Sequence, residues 1–297
     1  MQSKSNQLYH LLALVTAIIW GTTLVSTKVL LNHGLTPVEI MFYRFLIAYI
    51  LLWILHPKSY KFGGWKDEML FLGIGFCGGT LYFITENTAL GITLASNVAL
   101  IVTTAPIFTA ILAHITIKGE QLHRNLVIGS LTALIGVALV VFNGKFILKL
   151  NPLGDILSIA AAISWALYSV ILKRLDQKYD IFYITRKVFL YGILTLLPIF
   201  VFKPIHFDPK ILLNEAVIGN LLFLGVIASS VCYVLWNLAL KHIGTVRTSN
   251  YIYFIPIVTL ITSVIVLNEP VTLFAIIGTL FILSGVYYVD HGFPSLK

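Results

Sequence analysis

The sequence contains the same series of residues twice, about half the chain apart. In the first copy the order is Asn87, Pro106, Glu120, Gly129 and Gly136. In the second copy it is Asn237, Pro256, Glu269, Gly278 and Gly285, so each residue recurs 149 or 150 positions later. Because this spacing holds over the whole stretch, we interpret the chain as two homologous repeats, residues 1–145 and residues 146–297.

The composition places both repeats in a membrane. The chain is 58% hydrophobic and only 11% charged, and its mean hydropathy is +0.93. Soluble domains carry about 25% charged residues, so this chain lacks the polar surface that a soluble fold needs. Apolar runs of about 20 residues, which cross a bilayer as helices, recur along the chain. They predict ten transmembrane helices, at residues 8–31, 37–55, 68–90, 93–117, 122–142, 153–173, 180–202, 214–240, 245–267 and 271–289.

The positive charges predict an orientation and not a nucleic-acid partner. The formal net charge is +8, and if the N-terminus is cytoplasmic, twelve cationic residues fall on the inner side against five on the outer side. This bias follows the positive-inside rule, so we expect an integral protein of the cytoplasmic (inner) membrane with both termini in the cytoplasm. Five helices per repeat is an odd number, which turns the second repeat upside down. The sequence therefore predicts the inverted-repeat architecture of many secondary transporters.

Charged residues within the predicted spans are functional candidates, because charge inside a bilayer is costly and normally faces a partner or a wet cavity. Glu86 in helix 3 is the acid that lies well inside an apolar run, and Arg44 in helix 2 is predicted to pair with it. Lys28 shares a face of helix 1 with threonines and is a candidate for the transport path. Two interpretations of Glu86 stay open: it exchanges a proton during transport, or it is a permanently ionised partner that joins helices 2 and 3.

Aromatic and amide residues recur at matched positions of the two repeats. Trp20 in helix 1 corresponds to Trp165 in helix 6, and Trp236 in helix 8 aligns with Glu86. We predict a cavity between the repeats, in which rings form apolar walls while amides and hydroxyls hydrogen-bond a polar solute. The predicted lining residues are Trp20, Thr23, Tyr82, Glu86, Asn87, Ser96, Thr103, Trp165, Tyr168, Tyr233, Trp236, Asn237, Asn250 and Tyr253.

Proline and glycine distinguish the remaining helices. Pro106 and Pro256 lie in the middle of helices 4 and 9, where a proline removes a helical hydrogen bond. Such a kink can serve packing alone, but the matched pair beside polar side chains favours a hinge used in gating. Helices 5 and 10 each carry two glycines seven residues apart, which predicts close packing against another helix, either within the chain or in a homodimer.

Short motifs follow the same order along nearly the whole chain. They are Trp20-Gly21, Ala89-Leu90, Ala95-Ser96, Pro106, Gly119-Glu120, Ala239-Leu240, Gly244, Pro256, Asn268-Glu269 and Gly278. Together these residues resemble the EamA-type transporters of the drug/metabolite transporter superfamily. The resemblance implies an all-α bundle of ten transmembrane helices, built as two inverted five-helix repeats around a central cavity. It also implies alternating access and the movement, often outward, of small metabolites such as amino acids.

Two other functions compete with a secondary transporter. A membrane-embedded enzyme would need a nucleophile and base or a metal cluster at membrane depth, whereas the eight histidines mostly lie at or beyond the span ends. A passive channel would usually show a continuous polar lining across both leaflets. We therefore predict a permease or exporter of small polar metabolites whose partners are its substrate and the lipid bilayer. The sequence predicts no metal ion, cofactor or phosphate-binding loop, so the energy would come from a solute or ion gradient.

Overall fold

The fold was analysed in a computed structural model, in which all regular structure of the described residues is helical. The described residues are 2–58, 62–92, 95–117, 120, 123–142, 151–202, 204–205, 208–267 and 272–291. The predicted repeat boundary between residues 145 and 146 lies outside them.

The described residues up to 142 form five helices, numbered α1 to α5. Helix α1 spans Gln2–Asn32, and α2 spans Pro37–Leu55. Helix α3 is continuous and consists of Trp65–Gly75, Phe76–Leu81 and Tyr82–Ile92. Helix α4 is broken into Ala95–Val102 and Ala105–Thr116, and α5 spans Arg124–Phe142.

The described residues from 151 onward form five corresponding helices, α6 to α10. Helix α6 spans Pro152–Leu175, and α7 spans Ile181–Leu196 with a continuation at Ile199–Phe202. A short helix at Pro209–Leu212 precedes α8, which consists of Glu215–Leu222, Phe223–Val231 and Cys232–Ile243. Helix α9 consists of Thr245–Ser249, Asn250–Phe254 and Ile255–Leu267, and α10 spans Leu273–His291.

The lengths and surfaces of these helices confirm an all-helical membrane protein. Six helices of the described chain are long and apolar enough to cross a bilayer, and two shorter apolar helices cover Leu100–Thr116 and Leu273–Val289. Large apolar side chains are exposed on the outer surface, among them Ile54 and Val201. In a bilayer such side chains contact lipid and need no further burial. The count of ten membrane spans stays a prediction.

Capping residues explain where several helices begin. Thr36 and Glu39 form a reciprocal capping box at the start of α2, in which Oε2 of Glu39 accepts a hydrogen bond from the Thr36 backbone N–H at 2.8 Å. Asp180 caps α7 through the Phe182 N–H at 2.9 Å. The buried carboxylate of Glu39 is thus accounted for by a structural role.

Helices α3 and α8 contain a departure from α-helical geometry that the sequence pattern does not predict. Residues 76–81 of α3 and residues 223–231 of α8 are wound as π-helix, at matched places in the two repeats. A π-helical turn is wider than an α-helical turn and often marks a functional site. Most residues of both π-helical segments are buried.

The two prolines lie at breaks in their helices, and not in mid-helix as predicted. Helix α4 stops at Val102 and restarts at Ala105, so Pro106 occupies the first turn of the second piece. Pro256 likewise follows the 3₁₀-helical segment Asn250–Phe254. A proline is tolerated in the first turn of a helix because the N–H that it lacks would have no helical partner there. The hinge role of the prolines stays a prediction.

The packing pattern relates the two repeats. Helix α3 packs on α6 and α7, while α8 packs on α1 and α2, and the most extensive contact joins α5 to α10. A Cβ atom added at Gly129 would meet the Gly285 carbonyl oxygen at 2.6 Å, and one at Gly136 would meet the Gly278 oxygen at 2.5 Å. The two helices are therefore antiparallel, the orientation that an inverted repeat predicts for equivalent helices. Their glycine faces are used within the chain, so a homodimer through α5 and α10 would have to use other faces.

Candidate functional site

Six aromatic residues from four helices meet at the centre of the bundle, and we name this group the central aromatic cluster. Its members are Trp20 of α1, Tyr82 of α3, Trp165 and Tyr168 of α6, and Tyr233 and Trp236 of α8. The ring centres of Trp20 and Trp165 are 5.3 Å apart, and those of Trp20 and Trp236 are 5.0 Å apart. Tyr82 lies 5.4 Å from Trp165. The structure thus brings together six of the residues that the sequence places in the cavity.

Four of the six rings of the central aromatic cluster are buried in this conformation. Tyr168 and Trp236 are 0% exposed, and Tyr233 and Trp165 are 2% and 5% exposed. The rings contact one another at the mostly edge-to-face and tilted angles that aromatic pairs prefer, so they fill the space in which the sequence predicts an open cavity. Trp20 and Tyr82 are half-buried, so the cluster is packed most tightly on the side of α6 and α8.

The polar atoms of the cluster bind the wide turns of α3 and α8. The Tyr233 hydroxyl donates to the Gly78 carbonyl at 2.9 Å, and Trp20 Nε1 donates to the Ala228 carbonyl at 2.9 Å. Gly78 and Ala228 both belong to π-helical segments, whose irregular ladder leaves carbonyl groups available to neighbouring helices. These contacts tie first-repeat and second-repeat helices to each other at the cluster.

A second set of polar contacts anchors Asn237. Its Oδ1 atom accepts from the Tyr168 hydroxyl at 2.6 Å, and its Nδ2 atom donates to Thr185 Oγ1 at 3.0 Å. Asn237 is 0% exposed and both ends of its amide are used within the protein. The predicted lining residue Asn237 therefore positions Tyr168 in this conformation.

Two indole nitrogens of the cluster lack an acceptor. Nε1 of Trp165 and Nε1 of Trp236 are buried and have no hydrogen-bond partner within the described part of the chain. Trp20, the counterpart of Trp165 in the first repeat, does have one. Buried donors are almost always paired in folded proteins, and an unpaired one calls for a specific explanation.

Arg44 is 6% exposed, and its partner is a serine and not the carboxylate that the sequence predicts. Its Nε atom donates to Oγ of Ser229 at 2.9 Å, and its guanidinium carbon lies 4.9 Å from the centre of the Phe83 ring. Among the described side chains no ion pair within 4.0 Å joins Arg44 to Glu86, although their charges are close enough to interact. Glu86 is instead bound one turn away on its own helix, where the Tyr82 hydroxyl donates to Oε1 at 2.9 Å.

The remaining predicted lining residues are only partly associated with the cluster. Thr23 is half-buried, and its hydroxyl donates to the Trp20 carbonyl at 2.7 Å. Asn87 is half-buried next to Glu86, and Thr103 is buried at the break in α4. The side chains of Ser96 and Lys28 lie outside the described part of the chain.

Asn250 and Tyr253 belong to the 3₁₀-helical segment of α9. Tyr253 is 0% exposed and packs in a hydrophobic cluster with α5 and α10, away from the central aromatic cluster. Asn250 is 2% exposed, and neither end of its amide has a partner in the described residues. The prediction that both residues lie on the cavity side treats α9 as a regular α-helix. The 3₁₀ segment has fewer residues per turn, so successive side chains point in other directions.

Opposite charges connect α3 to α7 and to the loop before it, and we name this group the α3–α7 ion-pair network. Lys178 binds Asp67, and Nζ of Lys187 lies 2.9 Å from Oε1 of Glu68. The other carboxylate oxygen, Oε2 of Glu68, accepts a hydrogen bond from the Tyr191 hydroxyl. The hydrogen bond with Asp67 raises the pKa of Lys178 above its ordinary value. Because Lys178 is 55% exposed whereas Lys187 and Glu68 are 17% and 14% exposed, the second pair is the stronger contact. The sequence does not reveal this pairing, which depends on the fold.

Comparisons with known proteins identify relatives of the whole chain. The model of the EamA-like transporter family matches residues 7–142 and again residues 152–289. An uncharacterized transporter of Archaeoglobus fulgidus is 30% identical over 291 residues, covering 97% of each chain. A probable amino-acid metabolite efflux pump of Escherichia coli K12 is 25% identical, covering 93% of this chain and 92% of its own. One crystal structure superposes with a TM-score of 0.80 at 16% identity, covering 95% of this chain and 98% of that chain, which shows a shared fold.

Proposed function

Because this chain belongs to the EamA-like transporter family, we propose that it exports small polar metabolites such as amino acids by alternating access. The chain is a membrane transporter. We also propose that it lies in the cytoplasmic membrane with both termini in the cytoplasm. Two relatives, from Escherichia coli and Salmonella typhimurium, are named probable amino-acid metabolite efflux pumps. These names support the substrate class and the outward direction for those proteins, and we extend both to this chain.

The observation that carries the proposal is the pair of unpaired indole donors in the central aromatic cluster. Trp165 and Trp236 each bury an N–H that has no acceptor in the described chain. Leaving such a group unpaired costs about 1–3 kcal/mol. A polar solute bound between the rings would supply acceptors, and the rings would contact its apolar part. The cluster therefore suits a small amphipathic metabolite better than an ion or a purely apolar compound.

The position of the cluster supports alternating access. Trp20 and Tyr82 come from the first repeat, and Trp165 and Trp236 come from the second. Because these rings are packed against one another, a solute enters only when helices of one repeat move against helices of the other. The breaks beside Pro106 and Pro256 are places where α4 and α9 can bend during such a movement.

Exchange across a vesicle membrane tests the proposed function. The purified protein is reconstituted into liposomes loaded with one unlabelled amino acid at a time, and uptake of the same labelled amino acid is followed. A carrier gives saturable uptake that unlabelled solute on the opposite side accelerates. Flux that neither saturates nor responds to solute on the opposite side would indicate a passive channel, and no flux of any small polar metabolite would contradict the proposal.

Replacing Glu86 by glutamine tests whether this residue carries a proton. Because no ion pair holds Glu86 to Arg44 in the described structure, we expect Glu86 to be free to exchange a proton during the transport cycle. We therefore expect E86Q to keep exchange at saturating solute, with a higher half-saturation concentration, but to lose the dependence of net flux on an imposed pH gradient. The measurement is flux at several pH gradients in reconstituted vesicles, with Tyr82→Phe as the control that removes only the hydrogen bond to Glu86. An unchanged pH dependence in E86Q would contradict the proton role.

A further inference from the structure

Arg44 has more hydrogen-bonding capacity than the protein uses. A guanidinium group has five N–H donors and no acceptor. Only the Nε–H of Arg44 has an acceptor, Ser229 Oγ, and the two terminal nitrogens have none among the described residues. A cation that is 6% exposed normally has its donors satisfied, because burial of an unpaired charge is costly. The terminal nitrogens of Arg44 are therefore available to bind an acceptor.

The second repeat provides an internal comparison for this site. Thr36 caps α2 and Asp180 caps α7, and aligning these caps places Phe45 on Phe189, whose rings are 4.9 Å apart across the two helices. The same alignment places Arg44 on Val188, a buried apolar residue. The scaffold is thus built with an apolar residue at this position in the other repeat, so its packing does not require a cation.

The neighbours of Arg44 differ between the repeats in the same way. Aligning Asn87 with Asn237 places Ser229 on Gly79, and it places Glu86 on Trp236. The cation, its serine partner and the nearby carboxylate thus all occur at the interface of α2 with α3 and α8. At the matched interface of α7 with α8 and α3, the equivalents are Val188, Trp236 and Gly79, none of which is charged. Polar groups that are all present at one interface and all replaced at its equivalent are better explained by a ligand than by folding.

We propose that the terminal nitrogens of Arg44 bind a carboxylate of the transported solute, and that Ser229 positions the guanidinium for this contact. The inference rests on the proposed function and specifies which atoms recognise the substrate. A guanidinium offers two parallel N–H groups that match the two oxygens of a carboxylate. Arg44 lies over the Phe83 ring, whose centre is 5.2 Å from that of Tyr82, and Ser229 follows Ala228, the acceptor of Trp20, which places the site beside the central aromatic cluster.

The charge of Glu86 decides between classes of anion. A phosphate dianion would add two negative charges beside this carboxylate and a single arginine, which leaves an unbalanced charge in a buried site. A carboxylate adds only one negative charge. An ammonium group on the same solute can donate a hydrogen bond to Glu86, whose Oε2 atom receives none from the described residues. The arrangement therefore favours a zwitterionic solute, with its carboxylate on Arg44 and its ammonium group toward Glu86.

Thermal shift with matched probes tests the carboxylate site. The purified protein is heated with each L-amino acid, with the corresponding amino-acid amide, and with the acid that lacks the amino group. We expect an amino acid to stabilise the protein while its amide does not, and we expect Arg44→Met to bind that amino acid about tenfold to hundredfold more weakly. Ser229→Ala keeps the positive charge of Arg44 but removes the hydrogen bond that positions its guanidinium group. This variant should therefore reduce the preference for the amino acid over its amide about fivefold.

Arg186→Gln is the matched control. Arg186 is also a buried arginine, but its terminal nitrogens donate to the carbonyls of His56 and Lys58 at 3.0 and 2.9 Å, so it serves the fold. Its replacement should lower the melting temperature and leave the preference for carboxylates unchanged. Equal stabilisation by amino acid and amide, or an unchanged shift in a folded Arg44→Met variant, would overturn the inference. Exchange only of solutes that lack a carboxylate would refute the carboxylate site and leave a transporter, whereas absence of all exchange would refute the proposed function.

Discussion

Replacing Gly136 by valine is expected to be among the most destabilising single changes in this protein. A Cβ atom at this position would meet the Gly278 carbonyl oxygen at 2.5 Å and the Ile282 backbone nitrogen at 2.7 Å. Both are backbone atoms of α10, so no side-chain rotation can relieve the contact and the two helices must separate. We expect the free energy of unfolding to fall by about 3 kcal/mol, the upper end of the cost of overpacking. Thermal unfolding in mild detergent, followed by the loss of monodisperse protein, measures the effect.

Gly219→Val is the matched control for this prediction. Gly219 lies within α8, and a Cβ atom at this position would meet nothing within 4 Å. The same substitution there should leave the melting temperature nearly unchanged, because valine is no worse than glycine in a helix. If both variants unfold at the wild-type temperature, the result would contradict the close backbone contact between α5 and α10.

Reversing one charge of the α3–α7 ion-pair network is expected to stop transport, and reversing both charges is expected to restore it. Glu68 and Lys187 are 14% and 17% exposed and 2.9 Å apart, so Lys187→Glu would place two carboxylates in contact. Breaking such a poorly exposed pair costs about 3 kcal/mol. Aligned as above, the equivalents of Glu68 and Lys187 are Ile218 and Tyr43, so the second repeat has no ion pair at the matched place. We therefore expect the charge pair to hold this side of the transporter closed.

The double variant with Glu68→Lys and Lys187→Glu separates pairing from other effects of the charge change. Its exchange rate in vesicles and its melting temperature should both recover most of the loss of the single variant. Lys66 directly precedes Asp67 but is exposed and has no ion pair in the described structure, so Lys66→Glu makes the same charge change and should have little effect. A double variant that folds but transports as slowly as Lys187→Glu would contradict the role of the pair.

The repeat made the membrane fold and most of the central aromatic cluster predictable. Equivalent tryptophans and polar residues at matched spacings indicate which faces of α1, α3, α6 and α8 point inward, because a helix has a fixed period. The π-helical segments were not predictable, since a short run of i→i+5 hydrogen bonds leaves no periodic signal in the sequence. The carbonyl acceptors of Trp20 and Tyr233 depend on those turns and were missed with them.

Contacts between distant residues were the least predictable part of the site. Arg44 and Ser229 are 185 residues apart, and a sequence shows only that a buried cation needs a partner. The charge of the predicted partner, Glu86, is close enough to interact with Arg44, but its carboxylate is hydrogen-bonded by a tyrosine one turn away on the same helix. Tyr253 was misplaced for a local reason, the 3₁₀ segment that changes the direction of side chains along α9.

Tryptophan fluorescence tests most directly whether the transported solute binds at the central aromatic cluster. The chain has five tryptophans, of which Trp53 and Trp65 are 51% and 75% exposed, so replacing these two by phenylalanine leaves only the three of the cluster. In this variant we expect the transported solute to change the fluorescence saturably, with half-saturation at the concentration that half-saturates exchange. A solute that the variant exchanges at the wild-type rate without any change in fluorescence would contradict binding at the cluster.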